Sequence, residues 1–134
     1  MTDTRTTQAA ARTWADTWAA AWPRKDKGTI TALYADSATY RALAFREPRS
    51  GIAGVDGYLE IVFGEEEEIQ CWFGDPIADG FMAAVQWWAS WIEEANAVTM
   101  AGVTILRFDD EGKVVEHRDY WNQGDGRLNP YPGW

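Results

Sequence analysis

The strand expected near the end of the chain carries the side chains best suited to proton transfer. In residues 116–121, of sequence EHRDYW, side chains alternate between the two faces of a strand, which places His117, Asp119 and Trp121 together. A carboxyl group that is surrounded by indole rings loses hydration and can exchange protons near neutral pH. We therefore predict that Asp119 is a catalytic acid or base and that His117 assists it.

The same two residues also fit a purely structural interpretation. His117, the one histidine of the chain, is expected about 6 to 7 Å from Asp119 along an extended strand. At that distance the pair can share a water molecule or a substrate oxygen. Equally, the two side chains can bond to each other or to Arg118 at the edge of a sheet, and the sequence leaves this alternative open.

Aromatic residues are unusually abundant for so short a chain. Nine Trp, five Tyr and five Phe occur among 134 residues, and each large ring buries about 150 to 250 Å². Because a small core encloses few such rings, some are expected to line a ligand pocket or a subunit interface. The expected pocket residues are Trp18, Trp22, Tyr34, Tyr58, Trp72, Gln86, Trp88 and Trp121, and ordinary core packing is the alternative for each ring.

The hydrophobic pattern predicts three helices followed by a run of strands. Trp14, Trp18 and Trp22 recur at every fourth position of a helix over 7–22, and Pro23 ends that helix. Two shorter helices are expected over 29–34 and 52–63, and strands over 38–45, 69–73, 81–91, 97–108 and 113–122. This order predicts an α+β fold in which a curved sheet folds over the helices and encloses a pocket.

The sequence leaves open which set of alternate side chains in the strand over 81–91 points into the pocket. A bulge of one residue near the following hairpin would exchange the two faces of that strand. With Trp88 inside, the amide of Gln86 would reach a ligand, Asp119 or a backbone group. Trp87 and Trp91 would then form an apolar outer surface that suits a homodimer.

Length and charge exclude several classes of function. A chain of 134 residues predicts one domain over 1–134, with 123–134 as a C-terminal tail. The net charge of −9 disfavours nucleic acid and anionic membrane surfaces as partners. A single cysteine, Cys71, and the lack of an apolar leader or membrane span indicate a cytoplasmic protein. The ligand spacing typical of metal sites is missing, so no metal and no cofactor are expected.

Four short motifs resemble the nuclear transport factor 2-like superfamily, especially its SnoaL-like and ketosteroid-isomerase-like branches. They are LYADSAT at 33–39, EPRSG at 47–51, RFDDEG at 107–112 and HRDYW at 117–121. The resemblance implies a cone of three N-terminal helices on a curved, mostly antiparallel sheet that encloses a pocket. SnoaL-like cyclases place an acid/base aspartate in a similar Glu-His-x-Asp segment, and limonene-type epoxide hydrolases place one in Arg-Asp-Tyr. In both cases the matching aspartate of this chain is Asp119.

Other catalytic positions of these branches are replaced in this chain. The ketosteroid-isomerase positions for the general base, the oxyanion tyrosine and the protonated aspartate fall at Ala42, at Trp18 and near Thr104. Steroid enolisation by that machinery is therefore not expected.

The resemblance to limonene-type epoxide hydrolases is also partial. Tyr40 matches their water-holding tyrosine, but Ala42 replaces the neighbouring asparagine. Ala84 and Gln86 occupy the expected positions of the arginine and of a second aspartate. Water activation would then depend on Asp119 with Tyr40 alone or with both Tyr40 and His117, which weakens this reaction as a candidate.

These observations predict a cofactor-independent acid/base enzyme of the cyclase or isomerase type. Its substrate would be a small, apolar, aromatic or polycyclic metabolite. Asp119 would transfer the proton, and His117 or Tyr40 would orient it or stabilise developing charge on oxygen. The alternatives are a non-catalytic binding or dimerisation module of the same fold and an epoxide-hydrolase-like hydrolase.

Overall fold

The computed structural model describes residues 3–134, which form three helices and seven strands. In chain order the elements are α1 (Thr4–Ala21), α2 (Lys27–Thr31), β1 (Tyr34–Arg41), β2 (Arg49–Ser50), α3 (Gly51–Glu65), β3 (Glu67–Phe73), β4 (Ile77–Asp79), β5 (Met82–Glu93), β6 (Asn96–Phe108) and β7 (Val114–Asp125). The helices pack on one mixed sheet, which confirms the α+β class.

The sheet order is β2-β1-β7-β6-β5-β3, and β4 pairs with the first residues of β5. Strands β1 and β7 are parallel, and the other neighbouring strands are antiparallel. The long pairs β5–β6 and β6–β7 make up the centre of the sheet. The C-terminal strand therefore lies between two neighbours, where its inward side chains can be buried.

Local signals explain the first helix. The carboxylate of Asp3 accepts a hydrogen bond from the backbone N–H of Thr6 at 2.8 Å and caps the start of α1. At the other end Trp22 is the capping residue, and Pro23 follows it directly. Trp14 and Trp18 are buried on the face toward the sheet, so the predicted indole stripe does face the interior.

Several predicted boundaries are wrong. Tyr34 was expected in the second helix, but it opens β1, and that strand ends at Arg41 rather than Phe45. The reason is a long-range contact, because the Val114 N–H donates to Leu33 O at 2.9 Å and starts the pairing with β7. Similarly, β7 continues to Asp125 along β6, so regular structure extends into the segment 123–134 that was expected as a tail.

Glycine permits one unusually close approach within the sheet. A Cβ atom at Gly102 in β6 would lie 2.1 Å from the backbone oxygen of Tyr120 and 2.7 Å from the Cβ of Trp121. Backbone atoms of β7 cannot move aside as a flexible side chain can. Gly102 thus lets β7 lie against β6 directly beside the strand segment that carries Asp119.

The C-terminal segment packs on the outer face of the sheet. The Trp88 indole Nε1 donates to Leu128 O at 2.6 Å, and the Trp88 ring makes edge-to-face contacts with Tyr131 and Trp134. The Thr99 hydroxyl donates to Gly126 O at 2.6 Å and fixes the start of this segment. None of the helices within residues 3–134 is long and apolar enough to span a membrane.

Candidate functional site

A cavity of about 260 Å³ lies between helices α1 and α3 and the inner face of the sheet. About half of the lining residues are aromatic, and the charged and polar ones include Asp119 and His117 on β7, Thr104 on β6, Glu93 on β5, Arg46 after β1, and Glu65 and Glu66 at the end of α3. The lining residues used below are Trp14, Trp18, Trp22, Tyr40, Arg46, Tyr58, Phe63, Glu66, Trp87, Trp91, Thr104, His117, Asp119 and Trp121.

Asp119 and His117 point inward from neighbouring inward positions of β7. They are 8% and 2% exposed, so both groups are buried in the cavity wall. The His117 Nε2 atom lies 2.7 Å from Asp119 Oδ1, and the Thr104 hydroxyl donates to the same oxygen at 2.6 Å. The carboxyl group is therefore held in one orientation by two different side chains.

A chain of donors behind His117 fixes where the imidazole carries its proton. The Tyr34 hydroxyl accepts from the indole N–H groups of Trp14, at 3.1 Å, and Trp18, at 3.3 Å. Since its lone pairs are occupied, the hydroxyl donates its own proton to His117 Nδ1, 2.8 Å away. With Nδ1 as the acceptor, the Nε2–H group of the imidazole donates to Asp119.

Burial keeps the phenol group of Tyr34 protonated. Desolvation raises the pKa of the Tyr34 phenol far above its usual value, and the Asp119 charge adds to the rise. The hydroxyl proton therefore stays available to His117 at every ordinary pH. The prediction that Tyr34 lines the pocket is therefore corrected, because its ring lies outside the cavity lining and its hydroxyl contacts the imidazole from behind.

The second oxygen of Asp119 is free of protein partners within the described residues. Both hydrogen bonds to the carboxyl group end on Oδ1, from His117 and from Thr104. Asp119 also lines the cavity. The remaining oxygen, Oδ2, is thus the one available to a ligand proton.

Two tyrosines complete the polar part of the wall. The Tyr40 ring stacks on the His117 imidazole with centroids 3.7 Å apart and 18° between planes, and the Tyr58 ring lies 5.1 Å from Tyr40. Burial, then the Asp119 charge, raises the pKa of Tyr40 well above its usual value and that of Tyr58 to about 12. Among residues 3–134, neither of these two hydroxyl groups has a hydrogen-bond partner, so both can donate to a bound molecule.

A SnoaL-like domain model matches residues 15–117, which is more than half of the chain. The chain belongs to the SnoaL-like domain family. This match bears out the resemblance seen in the four sequence motifs. A search of curated proteins found no match to this SnoaL-like chain.

Solved structures share the fold of this SnoaL-like domain at low sequence identity. SalBIII, an epoxide hydrolase/cyclase-like enzyme described in pyran ring formation in the polyether salinomycin, superposes with a TM-score of 0.77 at 19% identity, covering 93% of this chain and 99% of its own. An LEH-like epoxide hydrolase of M. tuberculosis gives 0.70 at 18% identity, covering 85% and 84%. An NTF2-like protein of unknown function from Exiguobacterium gives 0.71 at 17% identity, covering 84% and 98%.

The SnoaL-like domain brings most of the predicted site residues to one cavity. Asp119, His117 and Tyr40 lie together on its wall, as described above. The predicted pocket residues Trp18, Trp22, Tyr58 and Trp121 line the same space. The Trp121 indole donates to Ala42 O at 2.7 Å, and the Arg46 guanidinium lies 5.6 Å from the Trp121 ring centre at the cavity mouth.

Three predicted pocket residues lie on the opposite face of the sheet. Gln86 and Trp88 point outward from β5, and Trp72 pairs with Trp88 across β3 and shares that face. The pairing of β5 with β6 runs without a bulge from Met82 to Glu93. The placement of Gln86, Trp88 and Trp72 in the pocket is therefore a correction, since the parity of the strand puts Trp87 inside.

The predicted outer surface of Trp87 and Trp91 is wrong for the same reason. Both indoles line the cavity, where their rings lie 5.9 and 6.1 Å from the Trp22 ring. The aromatic residues that do occupy the outer face include Trp88, which the C-terminal segment contacts. The homodimer itself stays a prediction.

Sequence reasoning missed Thr104 and Trp87. The Trp87 indole donates to the Thr104 hydroxyl at 2.9 Å, and that hydroxyl donates to Asp119. Thr104 lies directly opposite Asp119 in the β6–β7 register. The available signal was the hairpin that joins β6 and β7, because its pairing places an inward residue of β6 opposite each inward residue of β7, and Thr104 is the one opposite Asp119.

Glu66 is the third missed residue, and it is 6% exposed in the cavity wall. The acidic run at 65–68 favours a solvated face, which hides this position. Glu66 follows the buried residues Leu59 and Phe63 at helical spacing. This period was the sequence signal that could have predicted its burial. The described residues contain no group of three or more potential ligands that could hold a metal ion.

Proposed function

We propose that this protein is a cofactor-independent acid/base enzyme of the cyclase or isomerase type. The observation that carries the proposal is the buried Asp119 carboxyl, with one oxygen held by His117 and Thr104 and the other beside an aromatic cavity. A carboxyl group held in this way is positioned for proton transfer to or from a ligand. The family assignment and the SalBIII and epoxide-hydrolase neighbours are consistent with this class.

Each polar group has a role in the proposed step. Asp119 takes a proton from a substrate O–H or C–H group through Oδ2, while Oδ1 stays bonded to His117 and Thr104. The electron pair of the broken O–H or C–H bond forms the new bond to an electrophilic carbon of the substrate, while the π bond or epoxide C–O bond at that carbon breaks toward oxygen. Asp119 then returns the proton to that oxygen, so the product keeps the mass of the substrate. Negative charge that develops on a substrate oxygen is stabilised by the hydroxyl groups of Tyr40 and Tyr58.

The cavity wall favours a small and largely apolar substrate. Indole rings from α1 and β5 face the space, and flat aromatic surfaces stack well on rings of this kind. An aromatic or polycyclic metabolite is therefore the proposed substrate class. Pyran ring formation, named for the SalBIII neighbour, is one ring closure that such proton transfer can drive.

A hydrolase of the epoxide-hydrolase type is the second candidate, and the free Tyr40 and Tyr58 hydroxyls favour it. These hydroxyls could hold a water molecule beside Asp119, which would then take the water proton. A non-catalytic binding module is the third candidate, because many sites on this fold type are only binding sites.

One experiment separates the three candidates. The protein is incubated with neutral aromatic and polycyclic compounds that carry hydroxyl, carbonyl or epoxide groups, and binding is followed by quenching of tryptophan fluorescence. Products are then examined by mass spectrometry and NMR. A new product of unchanged mass supports the cyclase or isomerase, and a product heavier by one water supports the hydrolase. Quenching without any product in the presence of bound ligand supports the binding module and contradicts the proposal.

A further inference from the structure

Glu66 is a buried acidic group of the cavity that the proposed acid/base step does not use. It lies at the junction of α3 and β3, and its Oε1 accepts a hydrogen bond from the Trp22 indole at 2.8 Å. Within residues 3–134 no hydrogen bond or ion pair ends on its Oε2. The Lys25 ammonium, which interacts electrostatically with Glu66, is bonded to Glu67 instead.

The surroundings favour the uncharged form of this carboxyl group. Burial raises the pKa of Glu66 to about 7, and the charges of Glu93 and Glu65 add to the rise. The Trp22 hydrogen bond and Lys25 act in the opposite direction but do not cancel it. The other titratable groups that interact with Glu66 are the Cys71 thiol on β3 and the hydroxyls of Tyr40 and Tyr58. In the free protein, a large share of Glu66 therefore carries a proton at neutral pH.

Glu66 and Asp119 belong to different parts of the same wall. In the sheet order, β6 and β5 separate β7 from β3, and Trp87 and Trp91 on β5 line the space between the two carboxyl groups. Three strand spacings amount to about 14 Å along the sheet. The two carboxyl groups are therefore suited to different ends of one ligand rather than to the same reacting bond.

We propose that Glu66 forms a second binding subsite, in which its protonated carboxyl group donates a hydrogen bond to a carbonyl oxygen at the end of the ligand remote from Asp119. Trp22 holds one oxygen of the carboxyl group, which leaves the other to point at the ligand. The preferred ligand is an uncharged, apolar molecule with a ketone or similar carbonyl at its far end. The inference extends the proposed function, but its test measures binding and requires no turnover.

The test uses three naphthalene probes of similar shape. 2-Acetylnaphthalene carries the carbonyl, 2-ethylnaphthalene lacks it, and 1-(2-naphthyl)ethylamine replaces it with an ammonium group. Dissociation constants are measured by calorimetry at pH 6 and pH 8. The measured quantity is the dissociation constant of the ethyl compound divided by that of the ketone. This ratio cancels the contribution of the naphthalene ring and leaves that of the carbonyl group.

For the native protein we expect a ratio of about five at pH 6, typical of one buried hydrogen bond. The ratio falls toward one at pH 8, because the ionised carboxylate no longer donates. In Glu66→Gln the amide still donates at both pH values, so the ratio stays near its native pH 6 value. In Glu66→Ala the ratio is near one throughout. The matched control Glu67→Gln changes the neighbouring, exposed carboxyl group and behaves like the native protein.

Two results would overturn the proposal. One is a native ratio that is the same at pH 6 and pH 8, or that survives in Glu66→Ala. The other is an ammonium probe that binds more tightly than the ketone at pH 8 and loses that advantage in Glu66→Gln, which would make Glu66 a counter-ion. Failure of the probes leaves the role of Asp119 untouched, because that role is tested by turnover alone.

Discussion

The hydroxyl of Tyr34 lies 2.8 Å from Nδ1 of His117, on the side of the imidazole away from Asp119. This contact links the indole stripe of α1 to the carboxyl group of β7. The helix therefore does more than cover the cavity, because Trp14 and Trp18 occupy the lone pairs of Tyr34 and direct its proton toward the imidazole. The orientation of Asp119 is thus set by residues from α1, β1, β6 and β7.

Removing the Tyr34 hydroxyl tests this relay. In Tyr34→Phe the imidazole loses the donor at Nδ1, and two indole N–H groups lose their acceptor. We expect unfolding free energy to fall by about 1 to 3 kcal/mol, the cost of buried unpaired groups. Urea denaturation measures this loss, and nitrogen NMR of the imidazole should show a mixture of tautomers. A single unchanged tautomer would contradict the relay.

The fold of this domain was largely readable from the sequence, whereas its strand parity was not. Spacing of Trp14, Trp18 and Trp22 predicted a helix with an indole face, and all three rings border the cavity. The alternation in β7 likewise placed His117 with Asp119 correctly. In β5, by contrast, apolar side chains occupy both faces, so alternation carries no signal. The sequence predicts Trp88 in the pocket, whereas the structure has Trp87 there.

Hydrogen-bond partners that come from distant segments of the chain could not be predicted from the sequence either. Thr104 reaches Asp119 only because of the β6–β7 register, and Tyr34 reaches His117 only because β1 pairs in parallel with β7. Local propensity placed Tyr34 in a helix, and the long-range pairing overrode it. Glu66 was hidden by its acidic neighbours, although the helical period indicated a buried position.

The pH dependence of stability tests the environment of Glu66. Its folded-state pKa of about 7 lies above the ordinary value of 4.5, so its contribution is fully present below pH 4.5. That contribution is lost as pH rises through 7, and the full loss is about 3 kcal/mol. The native protein should lose stability between pH 5 and pH 8 relative to Glu66→Gln, as measured by urea denaturation. Parallel curves for the two proteins would show that Glu66 is an ordinary solvated carboxyl group.

Replacing Gly102 by Ala tests the close contact of β6 and β7. The added Cβ would meet the backbone oxygen of Tyr120 at 2.1 Å, so the strands must separate. We expect a loss of about 1 to 3 kcal/mol, comparable to overpacking of a core.

A second glycine supplies the control. A Cβ added at Gly57 in α3 would meet nothing within 4 Å, so Gly57→Ala should stabilise the protein by up to about 1 kcal/mol through helix propensity. Thermal melting of both variants compares the two effects. A neutral Gly102→Ala variant would mean that the strands are not held this closely in solution.

The central claim is that Asp119 exchanges a proton with the substrate, and Asp119→Asn tests it most directly. The amide keeps the shape of the carboxyl group and an oxygen that can accept from His117 and Thr104, so folding should be retained. Once a substrate is in hand, we expect turnover to fall by at least about 100-fold, with ligand affinity within about twofold and a melting temperature within a few degrees of the native protein. Turnover at the native rate in a folded Asp119→Asn variant would contradict the account.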